Sequence, residues 1–382
     1  MKILFCTPAP LTKSLGAAKV VVELAEEMRE LGWVCDLVSI KDLADKSGLG
    51  LSESLRQHLL EHAAEYDVVD YDHSYLPYPR AEFTQKTLFV ARSVLLAHHF
   101  DAIPIPVSRS WKSRIKGLIT RSWESRARSE RIQMAHQTVQ EADLINVCNQ
   151  DDKTELIRRG ITGDKIVVLP FGINQSRRLL FNAISSAVPT EQWVTFVGTF
   201  DYRKGAREFP TIVQSIVDAV PNARFRLLGT AGMFQTANEV AAHFPAKLRP
   251  ILEVIPRFNP EELPLLLASC SVGIFPSYIE GMPFGVLEML AAAVPVFAYD
   301  TPGPTMMLKE SCVVPRGDAK ALSRKVIDLL KDKNGLYNAR VRAQEESQQF
   351  NWRKVAELTD AIYCTAITDG KQFSRLFNLK VM

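Results

Sequence analysis

The stretch FPSYIEGMPFGVLEMLAAAVPVFAYD, Phe275 to Asp300, carries two glutamates, Glu280 and Glu288, on either side of a glycine-proline corner and between two apolar runs. Ser271–Phe275 and Val294–Tyr299 read as short buried strands. Between them, Phe284–Ala293 is built from Leu, Glu, Met and Ala, all strong helix formers, and is expected to be a helix. Pro283 suits the first helical turn, and Pro295 stops the helix from running on. Glu280 is therefore placed in a loop at the carboxyl end of a strand, and Glu288 inside the helix that follows.

Working outward, the same alternation of apolar run and amphipathic pattern fills the chain. The first half offers KILFC (Lys2–Cys6), VCDLVSI (Val34–Ile40), DVVD (Asp67–Asp70), TLFVARS (Thr87–Ser93), LINVC (Leu144–Cys148) and IVVLP (Ile166–Pro170). The second half offers VTFVG (Val194–Gly198), FRLLG (Phe225–Gly229), LEVIP (Leu252–Pro256), VGIFP (Val272–Pro276), VPVFAY (Val294–Tyr299) and CVVP (Cys312–Pro315). Near-continuous apolar strands separated by helices mark parallel sheets covered on both faces. The expected fold class is α/β, with two doubly wound Rossmann-like domains facing a central cleft. The first domain is expected over residues 1–180 and the second over 190–350, with Ile173 to Gln192 as the linker. The terminal FNWRKVAELTDAIYCTAI repeats Trp352, Val355, Leu358 and Ile362 at helical spacing, so residues 351–382 are expected to pack back on the first domain.

Bulk properties agree with a soluble, globular reading. At 382 residues the chain exceeds one ordinary core. It is 47% hydrophobic and 23% charged, and its net charge of +3 is too small for a dedicated nucleic-acid binder. No apolar run reaches the roughly 18 residues of a membrane span. MKILFCTPAP reads as a first strand rather than a signal peptide. The six cysteines are far apart and form no CxxC pair, which points to reduced, buried thiols in the cytoplasm.

Three loops carry candidate chemistry. At the start of the 284–293 helix, the backbone amides of Phe284 and Gly285 and the helix dipole suit a phosphate. Glu288, an acceptor when ionised, suits two ribose hydroxyls, and Glu280 a sugar or a developing positive charge. In FVGTFDYRKG (Phe196–Gly205), Arg203 and Lys204 suit a diphosphate leaving group. In TPAPLTKSLGAAKVVVELAEEM, Gly16 lets the backbone approach a ligand closely. Taken singly, each has an ordinary alternative: loop and helix-surface carboxylates, a solvated basic loop, a turn glycine.

Together these pieces resemble the retaining, nucleotide-sugar-dependent glycosyltransferases of family 4 (glycosyl transferases group 1), which have the GT-B fold. The resemblance runs through GAAKVVVELAEEMRELGW, EADLINVCNQDDKTEL, IVVLPFGIN, FVGTFDYRKG, EELPLLLASCSVGIFPSYIEGMPFGVLEMLAAAVPVFAYDTPG and FNWRKVAELTDAIY. It implies that Glu280 acts at the reacting centre and Glu288 holds the nucleotide ribose. Lys204 would meet the diphosphate, with Gly16 in the amino-domain loop near the donor. Where the family usually has arginine after the strand-ending glycine this chain has Thr199, with Arg203 as the nearby substitute. Where the family has two adjacent glycines it has Gly16-Ala17. Where the family has a histidine after the fourth strand it has Arg92-Ser93, so His73, Arg92 and His98 are the acceptor-side candidates.

The resemblance implies transfer of a hexose from a UDP- or GDP-sugar to a hydroxyl of a saccharide or lipid-linked saccharide, in cell-envelope or extracellular polysaccharide or glycolipid synthesis. No cofactor, no metal and no nucleic acid are expected. A glycoside hydrolase with paired carboxylates and a non-catalytic sugar-nucleotide binder are the alternative readings. RSWKSRIKGLITRSWESRARSER (Arg109–Arg131) holds eight Lys or Arg against two Glu, with Trp111, Ile115, Leu118 and Ile119 on one helical face. Such a stretch suits either an anionic membrane surface or an ordinary domain helix with its apolar stripe inward. The expected location is the cytoplasm, peripherally at the inner face of the plasma membrane.

Overall fold

Among the described residues, twelve strands form where the apolar runs stand, six in each of two sheets. The structure is a computed structural model that describes residues 1–12, 16–105 and 111–368; for residues 16, 17, 102 and 111–125 it describes the backbone alone. The first sheet consists of β1 (Lys2–Thr7), β2 (Val34–Ser39), β3 (Val68–Asp72), β4 (Leu88–Arg92), β5 (Leu144–Val147) and β6 (Ile166–Val168). Its spatial order is β2-β1-β3-β4-β5-β6, with every pairing parallel. The second sheet consists of β7 (Trp193–Val197), β8 (Arg224–Leu228), β9 (Leu252–Ile255), β10 (Cys270–Phe275), β11 (Val296–Tyr299) and β12 (Val313–Val314). It too is wholly parallel, in the order β12-β11-β10-β7-β8-β9. Each sheet is doubly wound: strand order reverses between β1 and β3 in the first, and between β7 and β10 in the second. Ligands of such sheets bind beyond the carboxyl ends of the strands at that reversal.

The chain divides into two compact units. One comprises Met1–Ala102, Lys116–Asn174 and Asn351–Met382; the other comprises Ile103–Ile115 and Gln175–Phe350. Leu4, Val69, Phe89 and Ile145 are sealed in the core of the first. In the second, the rings of Phe196, Phe209 and Phe275 meet at centroid distances of 5.0 and 5.7 Å.

Three expectations need correcting. The helix that opens at Phe284 ends at Ala291 rather than Ala293. Val294 precedes a proline and is disfavoured in helical geometry, and Ala293 has already turned to a φ of +57°. The segment read as a linker contains a helix, Gln175–Asn182. Four cysteines are buried, but Cys312 and Cys364 are partly exposed.

The terminal helix Trp352–Thr368 lies against the first helix, Gly16–Glu30, within the first unit. Trp352, Val355, Ala356, Thr359, Ile362, Tyr363 and Ala366 are buried, a stripe at helical spacing, while Leu358 sits at its margin. Its polar atoms are matched as well. Trp352 Nε1 donates to Glu23 Oε2 at 2.6 Å, and Trp33 Nε1 donates to Asp360 Oδ1 at 2.8 Å. The chain passes so close that a Cβ on Gly172 would fall 2.3 Å from the Trp352 nitrogen. Tyr363 reaches the sheet itself: its hydroxyl donates to Asp70 Oδ2 and accepts from Asn146 Nδ2 at 2.7 Å and Arg92 Nη2 at 3.1 Å.

That hydroxyl ties three strands to the last helix, and removing it leaves buried partners short of a bond. Tyr363→Phe is expected to lower stability by about 1.5–3 kcal/mol, the usual range for hydrogen bonds to charged groups. Denaturant unfolding checks this; an unchanged midpoint would show that the network contributes nothing.

Candidate functional site

The carboxyl ends of β7 and β10 lie side by side at the reversal of the second sheet, and each is followed by one of the candidate loops. After β7 the chain runs through Gly198 and Thr199 to Gly205. Asp201 shapes this loop: it accepts from the Lys204 amide at Oδ1 (2.9 Å) and from the Thr199 hydroxyl at Oδ2 (2.9 Å). Gly205 has a φ of +82°, and a Cβ there would stand 2.3 Å from the Pro276 carbonyl oxygen of the second loop. Only glycine permits both the turn and the approach. The two loops are then joined by main chain, because the Tyr278 amide donates to the Arg203 carbonyl at 2.8 Å.

The charged side chains meet within this frame. Lys204 Nζ lies 2.6 Å from Glu280 Oε1, and Arg203 Nη1 donates to the same oxygen at 3.1 Å and to the Ile279 carbonyl at 2.8 Å. Lys204 also sits 5.0 Å from the centre of the Phe275 ring, a cation–π contact. Glu280 is only 5% exposed. Burial opposes its charge, but Lys204 and then Arg203 outweigh it and hold the carboxyl below its ordinary range. Burial lowers the pKa of Lys204 as well, against the pull of Glu280. The result is a carboxylate and two cations gathered where the sheet presents its ligand end.

The helix Phe284–Ala291 begins beside the same spot. A Cβ on Gly285 would fall 2.1 Å from the Val197 carbonyl oxygen at the end of β7, so the first turn is pressed against that strand. The N-cap residue of the helix, Pro283, has no side chain that can cap it. The first amides of a helix have no partners within it, and its dipole favours an anion there. Glu288, on the buried face of this helix, accepts from Arg177 Nη2 at 2.7 Å. Arg177 was not legible as a site residue: it lies in the segment read as a linker, and no spacing ties it to Glu288. Its one signal is the paired Arg177-Arg178 on a stretch otherwise turning apolar.

In the first unit, the acceptor-side candidates are all buried. Arg92 is 3% exposed and committed to the fold: Nε and Nη2 both bond Asp70, and Nη2 also bonds the Tyr363 hydroxyl. His73 is 3% exposed, and its Nε2 accepts from the Ala97 amide at 3.2 Å. The proton of the neutral ring is therefore on Nδ1, 3.6 Å from Asp72 Oδ1, and burial keeps the pKa low. His98 contacts His136 at 3.4 Å, and burial pushes its pKa down to about 3. His99 instead bonds Asp152 at 2.7 Å. Gly16 opens the first helix, and residues 13–15 before it lie outside the described residues. The side chains of 109–125, which carry most of the basic stretch, also lie outside them. Among the described residues, no cluster of three or more His, Cys, Asp or Glu could hold a metal ion. No helix there is long and apolar enough to cross a membrane.

Residues 191–332 match the family model described as glycosyl transferases group 1, a span that holds both loops and the Phe284–Ala291 helix. Over 104 residues the chain is 28% identical to O-antigen chain mannosyltransferase B of Escherichia coli, an alignment covering 27% of this chain and 27% of that protein. Among solved structures, sucrose-phosphate synthase from Thermosynechococcus elongatus superposes with a TM-score of 0.72 at 16% identity, over 97% of this chain and all of that one. Anabaena HepE in complex with UDP-glucose superposes at 0.67 with 15% identity, over 96% of this chain and all of that one. WaaG, a glycosyltransferase involved in lipopolysaccharide biosynthesis, superposes at 0.65 with 14% identity, over 94% of this chain and 99% of that one. The fold is thus α/β of the GT-B class. The stretch that matches the group 1 model, residues 191–332, lies within the second unit.

The ion pair makes an acid-side prediction. Because Glu280 has a folded pKa below its ordinary 4.5, its contribution to stability is complete above that value and fades as acid titrates through the lowered one. Glu280→Gln has no such titration. The stability difference between wild type and Glu280→Gln, measured by denaturant unfolding, should narrow as pH falls below the ordinary 4.5. A difference constant with pH would remove the charge from the account.

Proposed function

We propose that the protein transfers a hexose from a nucleoside diphosphate sugar, UDP- or GDP-linked, to an acceptor hydroxyl with retention of anomeric configuration. The observation that carries this reading is the meeting of Glu280, Lys204 and Arg203 beside the start of the Phe284–Ala291 helix. Transfer sets two charge problems together: the anomeric carbon becomes cationic, and the diphosphate leaves with added negative charge. Lys204 and Arg203 suit the diphosphate, with the helix-start amides beside them. A diphosphate that draws these cations releases Glu280 to face the sugar. Such preorganised charges in a water-poor site are worth far more than in bulk water. The group 1 match over 191–332 supports the reading, because it spans all of these residues. HepE, a structure of the same fold, is one that binds UDP-glucose.

In this mechanism the protein's own cations and backbone dipoles meet the diphosphate charge, so we assign no metal ion to the reaction. The acceptor is a saccharide or lipid-linked saccharide of envelope polysaccharide or glycolipid synthesis, and His73 remains the acceptor-side candidate, its buried Nδ1 3.6 Å from Asp72 Oδ1 and without a hydrogen-bond partner among the described residues. The location is cytoplasmic, at the inner face of the plasma membrane, with residues 109–131 against anionic lipid. Each basic residue near such a surface contributes about 1 kcal/mol.

Glu280→Gln should cut turnover far more than donor affinity, because the group acts where charge develops. Turnover should persist in excess EDTA. Wild-type turnover in the variant, or an EDTA loss restored by magnesium or manganese, overturns the mechanism. Liposome co-sedimentation checks the location: the protein should bind anionic but not neutral vesicles. Binding should weaken with salt and on changing Arg114, Lys116 and Arg121 to Glu. Wild-type protein left in the supernatant at low salt rules the membrane surface out.

A further inference from the structure

Glu288 is met from outside the two loops. Arg177, on the helix Gln175–Asn182, donates from Nη2 to Glu288 Oε1 at 2.7 Å, and the two side chains are 5% and 8% exposed. The helix that carries Arg177 contacts the helix that carries Glu288. The guanidinium also stands 5.6 Å from the centre of the Phe181 ring, one turn along on its own helix and fully buried. Arg177 is thus fixed on one side by an aromatic ring and on the other by the carboxylate.

A buried carboxylate without a counter-charge takes up a proton and then presents a donor hydrogen where it had offered only acceptors. Two vicinal hydroxyls that both donate need the ionised form. An ionised carboxylate has about four acceptor positions over its two oxygens, so it can accept from a guanidinium and from a diol together. The planar guanidinium also sets the orientation of the carboxylate, which a lysine ammonium does less well.

We propose that Arg177 is a positioning residue of the site: through its bond to Glu288 Oε1 it holds that carboxylate ionised and in one orientation, ready to accept both hydroxyls of a ribose diol. This rests on the reading that Glu288 takes the ribose of a nucleoside diphosphate.

Calorimetric titration with UDP and GDP, each beside its 2′,3′-dideoxy analogue, separates the two ideas. Wild type should bind one of the nucleotides and prefer it over its dideoxy form. Arg177→Met should weaken binding roughly 10- to 100-fold, as expected for a charge-assisted bond, and erase the preference for the diol. Arg177→Lys should retain part of that preference. In a Glu288→Ala background, Arg177→Met should change nothing further. Equal affinity in wild type and Arg177→Met overturns the inference and leaves the proposed function standing. Equal loss for the nucleotide and its dideoxy form also overturns it, since that is the mark of a merely structural arginine. Wild-type protein that binds neither nucleotide overturns both. If Arg177→Met does not fold, the same diol comparison on Arg177→Lys decides: an undiminished preference overturns the inference.

Discussion

The contact between Lys204 and Glu280 joins a lysine after β7 to a carboxylate after β10, 76 positions apart in sequence and 2.6 Å apart in space. It exists because β7 and β10 are neighbours at the point where the strand order of the second sheet reverses. A crossover that placed β10 at an edge would leave both charges exposed and unrelated. The close fit depends in turn on glycines. Gly205 lets the first loop touch Pro276, and Gly285 lets the helix start touch the end of β7. Sheet order, two glycines and one ion pair are therefore a single arrangement.

Such a pair is a poor device for stability. Replacing buried ion pairs by apolar residues of similar volume is often neutral or stabilising, because desolvation offsets the attraction. Burial does oppose charge on both Glu280 and Lys204. Its position at the ligand end of a doubly wound sheet gives a reason to keep it: the cations are held in place, and an arriving anion can exchange for the carboxylate without the site having to reorganise. Arg203 extends the arrangement, since it bonds both the Glu280 side chain and the neighbouring Ile279 carbonyl.

All of the described strands were legible in the sequence, because buried central strands leave near-continuous apolar runs, and the edge strands β2 and β9, though only partly buried, keep that pattern. Their ends were less so: β3 extends to Asp72, past the apolar run, since backbone pairing with β4 continues where side chains turn polar. The Glu280 and Glu288 pair and the Arg203-Lys204 loop were legible from context, as local signals on either side of a strand–loop–helix corner. Arg177 was not, because its partner is 111 positions away and nothing local marks the contact. Arg92 was a candidate because it stands where the resembling family has a histidine; its bonds to Asp70 and to Tyr363, the latter 271 positions on, were not legible. Long-range pairs of polar side chains are what sequence pattern carries least.

Hydrogen–deuterium exchange with and without saturating UDP or GDP tests the central claim most directly, because it reads backbone protection along the whole chain. The account predicts slowed exchange in peptides covering residues 198–206 and 276–288, where the loops after β7 and β10 and the helix start converge. Established nucleotide binding with unchanged exchange in both segments, and protection only elsewhere, would contradict it.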